Sequence, residues 1–176
     1  LTNTKLIPTI GNLDVLKHDD IDLSSNDPLS NNILGDLRDI WEPLQLNLGD
    51  SFGNGGSFSQ DITGGPAILS VNSMYFFKGN VEIPDCDQLG SAGAVGMSWL
   101  ESQLIHAASN NRSVYIMSHV PPIKNQRPLY KPQCYTMYVN LLGKYSSIIA
   151  AHLTGHTNGK NSQAGNLAFI GYNPSC

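Results

Sequence analysis

The sequence predicts an α/β fold, a sheet with helices packed on it. Short β-branched strands alternate with segments of helical spacing, glycine and proline punctuate the joins, and three polar clusters fall just beyond predicted strand ends. In open α/β sheets ligands gather at the loops beyond the carboxyl ends of the strands, so those clusters are the candidates for chemistry.

The elements follow in order. Lys5 to Ile10 is apolar and β-branched and stops at Gly11-Asn12, which predicts a buried strand ending in a turn. His18 to Asn32 is rich in Asp, Asn and Ser and reads as a surface loop leading into a helix from about Pro28. Ile33, Leu34, Leu37, Ile40 and Trp41 recur at helical spacing until Pro43. The glycine-rich stretch Ser51 to Gly65 suggests hairpin turns and argues against a helix. Ala67 to Phe77 is a strong strand candidate. Met97 to Ala108 places Trp99, Leu100, Leu104, Ile105 and Ala108 on one helical face, and Ser113 to Met117 is a strand running into Ser118-His119-Val120-Pro121-Pro122. Tyr135 to Tyr145 then predicts a helix, Ile148 to Leu153 a buried strand, and Gly155-His156-Thr157-Asn158-Gly159 the turn beyond it. No internal repeat is visible, and residues 1–176 read as one unit.

Composition narrows the partners. Only 14% of residues are charged and the formal net charge is -4, leaving no basic stripe for nucleic acid and no polybasic surface for anionic lipid. No apolar run is long enough to cross a bilayer. Abundant Gly, Pro, Asn and Ser suit a secreted or lumenal protein, and Leu1-Thr2-Asn3-Thr4-Lys5 reads as a processing point, neither an initiator Met nor a signal peptide. Cys86, Cys134 and Cys176 lack C-x-x-C spacing, which favours one disulfide and one odd thiol over a zinc site. Asn111-Arg112-Ser113 is the glycosylation sequon.

The chemistry-bearing clusters are Gly11-Asn12-Leu13-Asp14, His119 in SHVPP, and His156 with Asn158 in GHTN. Each sets a nitrogen or oxygen donor directly after a predicted strand, where the sheet can hold it. Imidazole and amide oxygen suit Zn, Mn or Fe, and a pair of such cations can activate water and neutralise phosphoryl oxygens. A lone strand-end His is more often a hydrogen-bonded structural residue, and an Asn after Gly more often a turn residue, so the weight lies in the order of all three.

That order resembles the calcineurin-like metallophosphoesterases, which carry GN(H/N)D, a strand-end His and GHxH in turn. The resemblance is closest to the acid-sphingomyelinase-like branch and its fungal endopolyphosphatases, through IPTIGNLDVLKHD, DIWEPL, SFGNGGSF, LSVNSMYFFKGN, MSWLESQL, SHVPP and CYTMYVNLLGKYSSIIAAHLTGHTN. It implies the C-terminal half of a metallophosphoesterase β-sandwich flanked by helices, with the N-terminal strands missing. By the same resemblance Asn12, His119, His156 and Asn158 are metal ligands, Asp14 orients its loop, and Cys86 pairs with Cys134. The complete family site takes two divalent cations, Zn, Mn or Fe, and the possibility that this chain holds none stays open.

Two departures matter. Leu13 stands where the superfamily has a His that assists proton transfer, and the DxH and GDxxD motifs that supply most carboxylate ligands belong before the ten residues available here. The expectation is a fragment of a secreted or vacuolar/lysosomal phosphohydrolase, acting on polyphosphate or a phosphodiester and inactive by itself. Its partner would be the missing N-terminal portion of the same protein. The alternative is an inactive structural protein that assembles with copies of itself into oligomers or filaments. A third reading, a small phosphate-binding module, would draw on Lys17, Lys124 and Arg127.

Overall fold

The computed structural model describes residues 4–15, 18, 19, 21, 28–157 and 169–171, with the backbone alone for 28–32 and 169–171. The helices are α1 (Pro28–Trp41), α2 (Gly49–Gly55), α3 (Ala92–Ser109) and α4 (Pro132–Lys144). The strands are β1 (Phe58–Asp61), β2 (Ala67–Val71), β3 (Val114–Ser118), β4 (Ile123–Lys124), β5 (Arg127–Pro128), β6 (Ile149–Thr154) and β7 (Phe169–Gly171). The result is the mixed α/β architecture that the alternating pattern predicts.

Five strands form one sheet in the order β1-β2-β3-β6-β7, antiparallel between β1 and β2 and parallel elsewhere. The crossovers β2-α3-β3 and β3-α4-β6 step in the same direction, so their right-handedness puts α3 and α4 on one face of the sheet. Residues of β3 alternate accordingly. Val114, Ile116 and Ser118 are buried, while Tyr115 and Met117 on the opposite face are half-buried, as is Leu153 paired beside Met117. Because β2, β3 and β6 run parallel, the loops beginning at Asn72, His119 and Gly155 emerge from the same end of the sheet.

Two segments differ from expectation. Lys5 to Ile10 joins no strand ladder: Pro8 has no N–H to donate, and the segment is held by side-chain bonds, from Ser70 Oγ to the Pro8 carbonyl (2.8 Å) and from Thr9 Oγ1 to the Val71 carbonyl (3.5 Å). Ile10 is nonetheless buried. The glycine-rich stretch does contain a helix, α2, before its hairpin β1-β2. Phe52 on α2 is fully buried against Trp41 (ring centroids 5.3 Å) and Phe58 (6.0 Å), and this burial overrides the poor helix propensity of Gly-Asp-Ser-Phe-Gly-Asn-Gly. Gly56, at φ +74°, ends the helix in the left-handed region, and a Cβ there would lie 2.4 Å from Ile10. The strand candidate Ala67 to Phe77 also stops early, at Val71, because Asn72 turns the chain: its Oδ1 accepts the Met74 N–H and caps a 3-10 turn at Ser73–Tyr75.

Cys86 and Cys134 are disulfide-bonded, joining the loop before α3 to the first turn of α4. Asp85 reinforces the junction by accepting the backbone N–H groups of Cys86 (2.8 Å), Cys134 (2.9 Å) and Gln133 (3.1 Å). Burial alone would raise its carboxyl, yet these three bonds and nearby Lys131 hold it below the ordinary range. It thereby caps α4 from a distant loop, a helix whose own N-cap, Lys131, makes no capping bond.

Beneath the strand end that carries His119 lies His152, fully buried, with Nε2 2.7 Å from Ser118 Oγ. Ser118 Oγ also lies 3.3 Å from the Val120 carbonyl, which accepts the Tyr130 hydroxyl at 2.9 Å. Burial drives its pKa down to about 3, which keeps the imidazole neutral when folded. The unfolded chain takes up a proton near the ordinary value of 6.5, so stability is complete above that pH and is lost as pH falls from 6.5 towards 3. Between pH 7 and pH 5 the loss should be about 2 kcal/mol. Denaturant unfolding across this range should show that slope in the native chain and a flatter one in His152→Gln; equal slopes would assign the acid sensitivity elsewhere.

Candidate metal centre

Three loops at the carboxyl end of the sheet bring Asn12, His119 and His156 together. Asn12 Oδ1 lies 2.6 Å from His119 Nε2, and His156 Nδ1 lies 3.3 Å from the same nitrogen. The imidazoles meet edge to face with centroids 5.1 Å apart, and Phe77 packs edge-on against His156, also at 5.1 Å. Asn12 is buried and the two histidines are half-buried.

Local backbone chemistry builds this meeting point. His119 follows β3 directly, and its carbonyl accepts the Gly155 N–H at 2.9 Å, which ties the third loop to the second. A Cβ at Gly11 would stand 3.0 Å from the His119 ring, tighter than ordinary contact, so that glycine makes room for the imidazole. His156 itself holds φ +63°, a left-handed conformation uncommon for a residue with a side chain and a frequent mark of a functional position. In the first loop, Asp14 Oδ2 accepts the Gly11 N–H at 2.7 Å. Leu13 is 78% exposed and offers no polar atom.

Both histidines are disposed to stay neutral. For His119 the main cause is burial, joined by the charge of His156 and opposed by Asp14 and Asp19; for His156 burial again leads, with Asp19 opposing and Lys124 and His18 adding. A neutral imidazole keeps a lone pair for a cation, so the lowered values favour ligation near neutral pH.

Among the described residues, the one cluster of three His, Cys, Asp or Glu donor atoms is Asp85 with Cys86 and Cys134, whose sulfurs are committed to the disulfide. At the strand ends the third donor is the Asn12 carboxamide oxygen. Two imidazole nitrogens and a carboxamide oxygen converging beside Gly11 fit one cation of the Zn, Mn or Fe type. They do not fit two: Asp14 is engaged by Gly11, and Asp19 by Asn12 and His18, so no carboxylate among the described residues is placed to bridge a pair. Asn158, Lys17 and Cys176 lie outside the described residues. Lys124 reaches the Thr157 carbonyl (3.4 Å) beside the third loop, and Arg127 is exposed on β5. Asn111 is exposed at φ +49° just past α3, while Arg112 turns inward to bind Asp61 (2.6 Å) and the carbonyls of Gly65 and Ile62.

Sequence reasoning passed over the pair His18-Asp19. Asn12 Nδ2 donates to Asp19 Oδ1 at 2.9 Å and stands 2.9 Å from His18 Nε2, while His18 Nδ1 lies 3.2 Å from Asp19 Oδ2. Their proximity to Asn12 in sequence was the available signal.

No family model matches the chain. Curated relatives do. The chain is 31% identical to an endopolyphosphatase of Kluyveromyces lactis over 88% of its own length and 22% of the relative, and 29% identical to that of Cryptococcus neoformans over 87% and 22%. It is also 25% identical to the cyclic GMP-AMP phosphodiesterase SMPDL3A of Rattus norvegicus over 88% of its length and 34% of the relative. The chain thus spans about a fifth of the length of the endopolyphosphatases it matches. Over that shared segment it belongs to the metallophosphoesterase superfamily, a group that works with divalent cations. Within the superfamily it falls in the branch that holds the endopolyphosphatases and the acid-sphingomyelinase-like enzymes.

Proposed function

We propose that this chain is the part of a phosphohydrolase that supplies one half of a cation site, and that it is inactive by itself. The convergence of Asn12 Oδ1, His119 Nε2 and His156 Nδ1 carries the reading. The substrate class we favour is polyphosphate, since most of the relatives above are endopolyphosphatases; a phosphodiester is the second, after the rat enzyme. When bound, a divalent cation supplies charge neutralisation at phosphoryl oxygens. Asn12, His119 and His156 would hold it, and the Gly155 N–H bond to the His119 carbonyl keeps the second and third loops together. Three neutral donors bind weakly, and exposed Leu13 can neither give nor take a proton, so both the second cation and proton transfer call for groups beyond these loops.

Further polypeptide of the same protein is the partner that suits the half-buried sheet face of Tyr115, Met117 and Leu153. Self-assembly into homo-oligomers is the second reading, favoured by the same face. Among the described residues no helix is long and apolar enough to cross a membrane, and a secreted or vacuolar/lysosomal lumen suits the disulfide and the exposed Asn111 sequon.

The test measures bound Zn, Mn and Fe together with phosphate release from long-chain polyphosphate. It compares the purified chain with the same chain co-produced with the polypeptide encoded upstream. Turnover only in the second preparation is expected. Turnover by the chain alone would overturn the claim of inactivity, and a metal-free homopolymer, inert in both preparations, would replace the enzyme reading with the structural one.

A further inference from the structure

Every hydrogen on the Asn12 carboxamide nitrogen has an address. One faces Asp19 Oδ1 at 2.9 Å, and the other faces His18 Nε2 at 2.9 Å. An ionised carboxylate only accepts, so the end of the amide that meets Asp19 must be the NH2. His18 Nδ1, 3.2 Å from Asp19 Oδ2, then carries the proton that it donates there, which leaves Nε2 as an acceptor for the second amide hydrogen. The three side chains close a ring in which each bond dictates the sense of the next. With both N–H groups so engaged, Oδ1 is left to face His119 Nε2 at 2.6 Å.

The loop is built to hold this ring. The Asp19 N–H returns to the Asn12 carbonyl (3.4 Å), and Asp19 adopts φ +68°, a conformation that Asp and Asn tolerate better than other side chains. Asp19 is also the more sheltered member, its side chain 28% exposed against 61% for His18.

We propose that Asp19, with His18 as its second contact, is a positioning residue that fixes which end of the Asn12 carboxamide faces the His119–His156 pair. Without it the amide can turn over and present NH2, a group that repels a cation. The inference rests on the reading of Asn12, His119 and His156 as a cation site and names the residues that keep its weakest donor correctly aimed. Partners that orient a ligand in this way are commonly worth about 10- to 100-fold in metal affinity.

The experiment compares Asp19→Gly, which suits the left-handed backbone and removes the acceptor, with Asp19→Asn, which suits the backbone and retains one. Co(II) affinity is measured by chelator competition in the purified chain, and the Asn12 side-chain NH2 resonances are recorded without metal. Expected are a loss of about tenfold or more in Co(II) affinity for Asp19→Gly, substantial rescue in Asp19→Asn, and displaced NH2 resonances in Asp19→Gly alone. The metal-free melting temperature should be unchanged in both. Unaltered Co(II) affinity in Asp19→Gly while His119→Ala binds more weakly would overturn the proposal and spare the site. Should His119→Ala bind Co(II) as the parent does, the cation site itself is wrong, and undisturbed NH2 resonances in Asp19→Gly would then overturn the positioning role as well.

Discussion

Replacing His119 by alanine should weaken divalent-cation binding by about two orders of magnitude. Structural zinc bound by four protein ligands is worth roughly 10–16 kcal/mol, or about 3 kcal/mol for each donor. His119 is also the hub, because its Nε2 stands 2.6 Å from Asn12 Oδ1 and 3.3 Å from His156 Nδ1, so its removal separates the two remaining donors. His156→Ala should cost a similar factor, whereas His106→Ala, on the exposed face of α3, should cost nothing. Calorimetric titration with Zn(II) on the three variants makes the comparison. Equal affinity for His119→Ala and His106→Ala would show that the loops bind no cation through these groups. In a preparation that hydrolyses polyphosphate, His119→Ala should abolish turnover; survival of turnover would reject the assigned role.

What made these residues legible was their position directly after strands. Val114 to Ser118 and Ile149 to Thr154 are short apolar runs between helical segments, so a reader can place His119 and His156 at one end of a sheet before seeing it. The helices α1, α3 and α4 follow from the spacing of residues such as Leu34 and Leu37, Leu100 and Leu104, and Leu141 and Leu142 with Tyr138. The helix α2 does not, since its reason is tertiary: Phe52 is captured between Trp41 and Phe58, and a window of glycine, asparagine and serine contains no trace of that capture. Asp85 is similarly hidden, because its partners Gln133 and Cys134 lie almost fifty residues downstream in a helix that lacks a local cap. The ring of Asn12, His18 and Asp19 is local in sequence yet depends on a positive φ at Asp19 that no periodicity announces.

Reduction of the disulfide, or Cys134→Ser, should lower stability by about 4 kcal/mol. The bond closes a loop of 48 residues, and the chain entropy it removes from the unfolded state grows with the logarithm of that length. The folded side adds to the loss, since both sulfurs are buried and Gly93, in the first turn of α3, presses its backbone against them: a Cβ there would lie 2.7 Å from Cys86 Sγ and 3.4 Å from Cys134 Sγ. Releasing the bridge would therefore loosen α3 and α4 together where Asp85 now locks the first turn of α4. These helices cover one face of β3 and β6, the strands that precede His119 and His156, so the cation site should weaken along with the fold. Guanidinium unfolding with and without reductant reads the first effect, and Zn(II) titration of Cys134→Ser reads the second. A midpoint that does not move on reduction would show that the bridge constrains neither state. A large loss of stability with undiminished Zn(II) affinity would show that the loops hold their donors without help from the helices beneath.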